Sequence, residues 1–344
     1  TNWKVLSKTL RSWIRLSSNA GDVEKALKNV HLDGLIIWPF FAEEWRHTTI
    51  GINAISNLLY FYQLKHALNV MQSQSLGLYL QENQGWELGL IQAWRETGHG
   101  TLIGYLHSIL RFWDLRYYQS FQNFKFQSEE SDQHLRPNYF AINNKRDYGE
   151  LRRQGYPRNE LVKVEALRYE HLRSPKRDEE NSRRLSSKLN VLVVGDYSKE
   201  NTEAQMQLLE TANKEEPLNL SITCKPHPAS MFFEKDFPNL SFNLIEAPID
   251  TILQQYDVAV VGASTSAAID AYYCGLEVIT VLNLCQLTFS PLRGVNDAYF
   301  VSSTQELRKA FRDIGRGRRL KCRKLNSFYF SHGLNRWQKL FARI

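Results

Sequence analysis

Apolar residues recur along this chain with two different periods, and the alternation between them sets the expected architecture. Trp3, Leu6, Leu10, Trp13 and Ile14 repeat at spacings of three and four, which predicts an amphipathic helix over residues 1–30. The short apolar run Leu32–Phe40, closed by Pro39, reads as a strand. A long helical pattern covers Gly51–Val70, a strand Ser75–Leu80, a helix Leu88–Gly98 and a further strand Leu102–Ser108. Strands alternating with helices predict a parallel sheet with crossover helices.

The pattern breaks at Arg173–Lys188, a polar stretch of both charge signs in which only Leu185 could anchor a core. After it the alternation resumes. Strands are predicted at Leu189–Val194, Leu218–Cys224, Asp257–Val261 and Glu277–Val281, with helices at Thr202–Lys214, around Ile249–Gln255 and at Ser266–Cys274. The expected fold class is therefore α/β, with two Rossmann-like domains facing an interdomain cleft and a C-terminal helix packing back. The predicted divisions are 1–175, 189–325 and a terminal helix at 326–344. A length of 344 residues is ample for two cores.

Composition narrows the class. Apolar residues make up 43% and charged residues 23%, as in water-soluble domains. No apolar run approaches the roughly 18 residues of a membrane span, and no charged-then-apolar leader opens the chain, so a cytoplasmic location is expected. Cys224, Cys274, Cys285 and Cys322 lack metal-ligand spacing and are expected to be buried thiols in a reducing compartment. The net charge of +7 is concentrated at one end: from Arg308 onward there are 12 Lys and Arg against one acid, leaving 31 basic and 35 acidic residues elsewhere. Such a tail suits an anionic membrane surface or a solvated basic loop. No nucleic-acid fold signature accompanies it, so nucleic acid is not an expected partner.

Two motifs at strand ends carry the chemistry. Cys224-Lys225-Pro226-His227-Pro228 follows one apolar run, and Ser264-Thr265-Ser266 follows another. The prolines fix φ around His227 and hold its imidazole in a set direction. Cationic and hydroxyl groups at strand ends, aimed at a helix start, suit a nucleotide phosphate. The alternatives are a rigid turn for the first motif and plain helix capping for the second. Asp196, after Gly195 at the end of Leu189–Val194, is equally readable as a nucleophile or base and as a helix cap. Glu246, between the two motifs, could accept from ribose hydroxyls. In the first half, Glu82-Asn83-Gln84-Gly85-Trp86-Glu87 gathers carboxylates, amides and an indole suited to sugar hydroxyls and ring faces, and Arg95, His99, His107, Arg111 and Arg116 follow it. HExxH, paired Cys and Gly-x-Gly-x-x-Gly patterns are all missing, so neither a metal nor a nicotinamide cofactor is expected.

Lys225-Pro226-His227-Pro228, Glu246 and the Ser264–Ser266 turn in a two-domain chain resemble the donor site of bacterial transferases that use CMP-activated acidic sugars. These are the sialyltransferases and capsule-associated Kdo transferases of GT-B fold. Tyr79–Glu87, Gly98–Arg116 and Gly155–Tyr169 further resemble the retaining β-Kdo transferase domains of lipopolysaccharide O-antigen and related surface-polysaccharide synthesis. The resemblance runs from about Gly34 to the final helix. It implies a GT-B fold with an acceptor-side first domain and a donor-binding second one. It also implies CMP-β-Kdo as donor, a lipid-linked glycan acceptor and no metal or other cofactor, while peripheral contact with an anionic inner membrane is expected from the basic C-terminal region. On this resemblance Asp196 attacks the anomeric carbon, and His227 and Lys225 stabilise the departing phosphate. Pro228, Ser264, Thr265 and Ser266 line the donor site, Glu246 holds ribose and Arg168 the sugar carboxylate. Glu82 or Glu87 orients or deprotonates the acceptor, with Gln84, Trp86 and His107 beside it. A sister reading is a CMP-sialic acid or other nonulosonate transferase, inverting, with Asp196 as base. A reading of another class is a non-catalytic glycan-binding module. A nucleotide-sugar epimerase fits poorly, since it has no use for the acceptor-like cluster.

Overall fold

The computed structural model describes residues 2–111, 113–118, 135–173, 188–317 and 327–344. Most of the charge-mixed linker expected at 173–188 and the basic stretch 318–326 lie outside them, as does Cys322. The chain opens with helices α1 (Trp3–Leu27), α2 (Trp38–Thr49) and α3 (Ile52–Val70). The strand expected over Leu32–Phe40 does not form. Asp33 and Gly34 take positive φ (50° and 81°) and fold the run into a two-residue hairpin, β1 (His31–Leu32) against β2 (Leu35–Ile36). Pro39 then sits in the first turn of α2, where its missing N–H costs nothing.

The apolar stripe of α1 is also not where an amphipathic helix usually puts it. Trp3, Leu6, Leu10 and Ile14 are 78%, 40%, 56% and 53% exposed. The helix packs instead through Val5, Thr9 and Ala20. Ser12 hydrogen-bonds the Tyr62 hydroxyl at 2.7 Å, and the Trp13 indole donates to the Ile50 carbonyl at 2.9 Å.

Two parallel sheets follow. The first contains β3 (Leu76–Leu80), β4 (Thr101–Leu106), β5 (Tyr139–Ile142) and β6 (Leu161–Lys163) in sequential order, with α4 (Gly85–Glu96) and α5 (Lys145–Arg153) as connections. Successive β4 residues face opposite ways. Leu102 packs with Ile91 and Trp94 of α4 on one side, while Ile103 and Tyr105 meet Trp337 and Leu340 on the other. Those last two belong to the terminal helix α10 (Asn335–Phe341), which thus returns to the first domain. Glu165, fully buried, holds it there by accepting from the Ser331 hydroxyl and the amides of Arg336 and Trp337.

The second sheet uses β7 (Leu189–Val194), β8 (Leu220–Lys225), β9 (Asn243–Leu244), β10 (Val258–Gly262), β11 (Glu277–Val281) and β12 (Tyr299–Val301) in the order β12-β11-β10-β7-β8-β9. Val191, Val193, Val258 and Val260 pack on α6 (Lys199–Glu215) and α9 (Thr304–Gly315). Leu192, Val194, Ala259 and Val261 pack on α7 (Ile249–Ile252) and α8 (Ala267–Tyr273). Burial on both faces explains why these strands read as unbroken apolar runs. Ile109, Tyr169 and Leu172 of the first half join that second core, so the domains share apolar contact. Among the thiols, Cys224 is buried, but Cys285 is exposed, against expectation.

Candidate active site

The chain leaves β7 to build β8 and β9 on one side, then returns to build β10 on the other. The crevice beyond the carboxyl ends of β7 and β10 is therefore the topological switch point, where open α/β sheets bind ligands. Asp196 and Ser264 lie on its two sides and are joined. Asp196 Oδ2 accepts from the Ser264 amide at 3.1 Å; its Oδ1 accepts from the Ser264 hydroxyl and from the Ser198 amide at 3.1 Å. The Asp196 residue is 0% exposed. Gly262 makes the approach possible, because a Cβ there would lie 2.5 Å from Asp196 Oδ2. The cap of α6 is Ser198, whose side chain accepts from the Asn201 amide, and not Asp196. Thr202, which the sequence reading passed over, locks the turn from below. Its hydroxyl accepts from the Asp196 amide and lies 3.0 Å from the Asp196 carbonyl.

His227 stands one strand further out. Its Nδ1 accepts from the Ala229 amide at 3.1 Å, which leaves Nε2 as the protonated, donating nitrogen of the neutral ring. The Tyr197 ring meets it edge-on at 5.5 Å. Nothing in the sequence singled out Tyr197 except its place beside Asp196. Lys225 donates from Nζ to the Glu246 carbonyl at 3.2 Å, so these two candidates are neighbours on an exposed rim. Pro228 is exposed beside them.

In the serine turn the capping alternative accounts only for Thr265, whose hydroxyl accepts from the Ala267 amide at 3.3 Å. The Ser266 side chain makes no capping bond, and it accepts instead from Arg168 Nη2 at 3.2 Å. Arg111 reaches the Ser264 carbonyl at 3.4 Å. Both arginines come from the other domain. Two further contacts cross the same cleft: His171 to Asp270 at 3.0 Å, and Arg146 Nη1 to the Pro291 carbonyl at 2.6 Å. Arg146 had no sequence signal.

In the first domain the polar cluster Glu82–Glu87 divides. Gln84, Gly85, Trp86 and Glu87 form the start of α4, three residues earlier than the apolar period marks. Glu87 is 1% exposed, and its carboxylate accepts from the amides of Glu82, Asn83 and Gln84. Burial pushes its carboxyl up, against those donors. Glu87 therefore shapes the loop, whereas the Glu82 side chain is 46% exposed and open to solvent. Gln84 and Trp86 remain half-buried at the loop.

Glu82 Oε1 lies 3.6 Å from His107 Nε2, and the buried His107 Nδ1 has no hydrogen-bond partner. Burial and the Arg168 guanidinium push His107 below the ordinary imidazole range, while Glu82 pulls the other way. Glu82 and His107 thus form a polar group with Arg168, whose charge acts on the imidazole and whose guanidinium reaches Ser266 in the second domain. Arg95, His99 and Arg116 do not join it. His99 lies between the Gln74 amide and the Leu68 carbonyl, Arg116 chelates Asp114, and Arg95 donates to the Arg136 carbonyl.

Among the described residues no group of three His, Cys, Asp or Glu is placed to hold a metal, and no helix is long and apolar enough to cross a membrane. No family model matches the chain, and no curated protein matches it. Solved structures do. The Methanocaldococcus jannaschii UDP-GlcNAc 2-epimerase, solved with UDP-GlcNAc and UDP, is 14% identical with a TM-score of 0.56, over 89% of this chain and 88% of that one. A second structure of that enzyme gives 14% and 0.51, over 85% and 82%. A Listeria monocytogenes candidate UDP-N-acetylglucosamine 2-epimerase gives 10% and 0.52, over 88% and 84%. At these identities the likeness speaks for architecture alone. The chain has the GT-B fold, two Rossmann-like α/β domains with a cleft between their strand ends.

Proposed function

We propose that this protein is a glycosyltransferase that moves an acidic sugar from a CMP donor, Kdo by the resemblance of its motifs, to a hydroxyl of a surface-glycan acceptor. The observation that carries the reading is the hydrogen bond from Arg168 of the first domain to the Ser266 hydroxyl of the second, with the Glu82–His107 pair on the Arg168 side of the cleft and under the influence of its charge. A nucleotide sugar needs cations and hydrogen-bond donors for its phosphate and carboxylate; Lys225, Arg111 and Arg168 are the cations, and His227 Nε2 is a neutral donor. The Glu82–His107 pair can take the acceptor proton, which a neutral imidazole is suited to do.

In the retaining form, an Asp196 oxygen bonds to the anomeric carbon as the carbon–phosphate oxygen bond breaks and CMP leaves with the electron pair. The acceptor oxygen then displaces Asp196 and loses its proton to the Glu82–His107 pair. The buried Asp196 sets a condition. Ser264 now donates both its amide and its hydroxyl to that carboxylate. A donor phosphate that takes those donors frees the nucleophile as it binds, so binding and activation are one event. The same burial favours a second reading, in which Asp196 only braces Ser264 and displacement is direct, with inversion.

Incubation with CMP-Kdo and a Kdo acceptor glycan in excess EDTA, followed by NMR of the product, tests both. Transfer with retention, and one added Kdo on the intact protein that Asp196→Ala abolishes, supports the first. Inversion without an adduct selects the second. Donor interconversion without an acceptor, or no CMP release at all, defeats the proposal.

A further inference from the structure

Helix α1 presents three separate stripes. Its inner one, Val5, Thr9 and Ala20, is buried on the body of the protein. At about 100° per residue, Trp3, Leu6, Leu10 and Ile14 share about a quarter of the circumference beside it. All four are exposed. Lys4, Lys8, Arg11 and Arg15 share a further stripe and are exposed too, and no acid precedes Asp22 in the sequence. The helix is thus apolar on one outward side and purely cationic on the next.

Folding alone does not account for this. An exposed indole and three exposed aliphatic side chains in one row carry a hydration cost that burial would relieve. A row of cations with no acid among it attracts a negative surface. Both demands are met at once by an interface that is hydrocarbon below and anionic above, as at the headgroups of an acidic bilayer. We infer that α1 is a membrane-docking helix that seats the first domain on an anionic lipid surface. The inference is independent of the donor chemistry, and it moves the membrane contact from the basic C-terminal stretch to the opposite end of the chain. A protein that takes its acceptor from a lipid carrier would gain from it, since docking confines both to one plane.

The test is co-sedimentation of the full chain with vesicles of phosphatidylglycerol and phosphatidylethanolamine, against vesicles of phosphatidylcholine alone. Binding is expected only to the anionic vesicles, and it should weaken steeply as salt is raised. Leu10→Asp with Ile14→Asp should reduce it at least about tenfold. Each of Lys4→Gln, Lys8→Gln and Arg11→Gln should reduce it about fivefold. All these positions point outward, so circular dichroism and melting should match the parent, and an unfolded variant is replaced by Leu6→Ser with Leu10→Ser. Neutralising Lys321, Arg323 and Lys324 should leave most of the binding. The inference is overturned by equal binding to both vesicle types, by α1 variants that bind like the parent, or by loss of binding through the tail variant alone. It is equally overturned if α1 variants change only the mass of a self-associated species.

Discussion

The junction between Asp196 and Ser264 yields the most exacting prediction. In Asp196→Asn the shape is kept, but one carboxylate oxygen becomes an NH2 group that can only donate. Three donors now point at this carboxylate: the Ser198 amide, the Ser264 amide and the Ser264 hydroxyl. If the remaining oxygen keeps the Oδ1 partners, the Ser264 amide faces another donor and is left unpaired, which costs about 1–3 kcal/mol at a buried site. Loss of the charge weakens the other two bonds by about 0.5–1 kcal/mol each. The total is about 3 kcal/mol, or roughly 10 °C in the melting of the second domain. Ser264→Ala should cost about 1–2 kcal/mol on its own, and far less when combined with Asp196→Asn, because the two changes break one network. All eight tryptophans lie outside residues 189–317, so tryptophan fluorescence is blind to this domain. Urea titration followed by far-ultraviolet circular dichroism, with amide exchange at Val260 and Val261, is the suitable assay. Equal costs for Ser264→Ala with and without Asp196→Asn would refute the reasoning, and so would an Asp196→Asn variant as stable as the parent.

Three further outcomes follow from the geometry. Arg168→Ala should raise the KM for the CMP-sugar donor about tenfold or more with a smaller change in kcat, Arg168→Lys should recover part of it, and an unchanged donor KM would remove Arg168 from the site. Glu165→Gln should loosen α10 at a cost of about 2–3 kcal/mol, read by Trp337 fluorescence, because the carboxylate accepts from two amides and a hydroxyl. Burial alone would raise the Glu165 carboxyl, but the bonds from Ser331, Arg336 and Trp337 hold it below the usual carboxylate range. Its contribution is therefore present above about pH 4.3 and lost as pH falls through the lowered native value, so acid should free α10. The hydrogen bond to Asp270 raises His171, although burial opposes it. That cross-domain contribution is full below about pH 6.5 and fades as pH rises through the raised value; an NMR titration of His171 that Asp270→Asn leaves unshifted would contradict it.

Much of the fold was legible because period and burial are linked through backbone geometry. The strands at Leu189–Val194, Val258–Gly262 and Glu277–Val281 read correctly, since a parallel strand covered on both faces is largely apolar, whereas Leu220–Lys225 alternates buried and half-buried positions. Leu32–Phe40 misled for the same reason: a short apolar run has no period to distinguish strand from hairpin and helix start, and the Asp33–Gly34 turn decided it.

The chain by itself determined that His227, Asp196 and the serine turn stand at strand ends, because motif and strand are adjacent in sequence. It could not determine that Ser264 donates to Asp196 across 68 positions, or that Arg168 reaches Ser266 across 98. Those contacts come from strand order and from the packing of one domain on the other, which bring together groups with no local relation. Nor did periodicity say which side of α1 faces the body. A helical stripe records only that apolar residues share a side, and what that side meets is settled by the surfaces available to it in three dimensions.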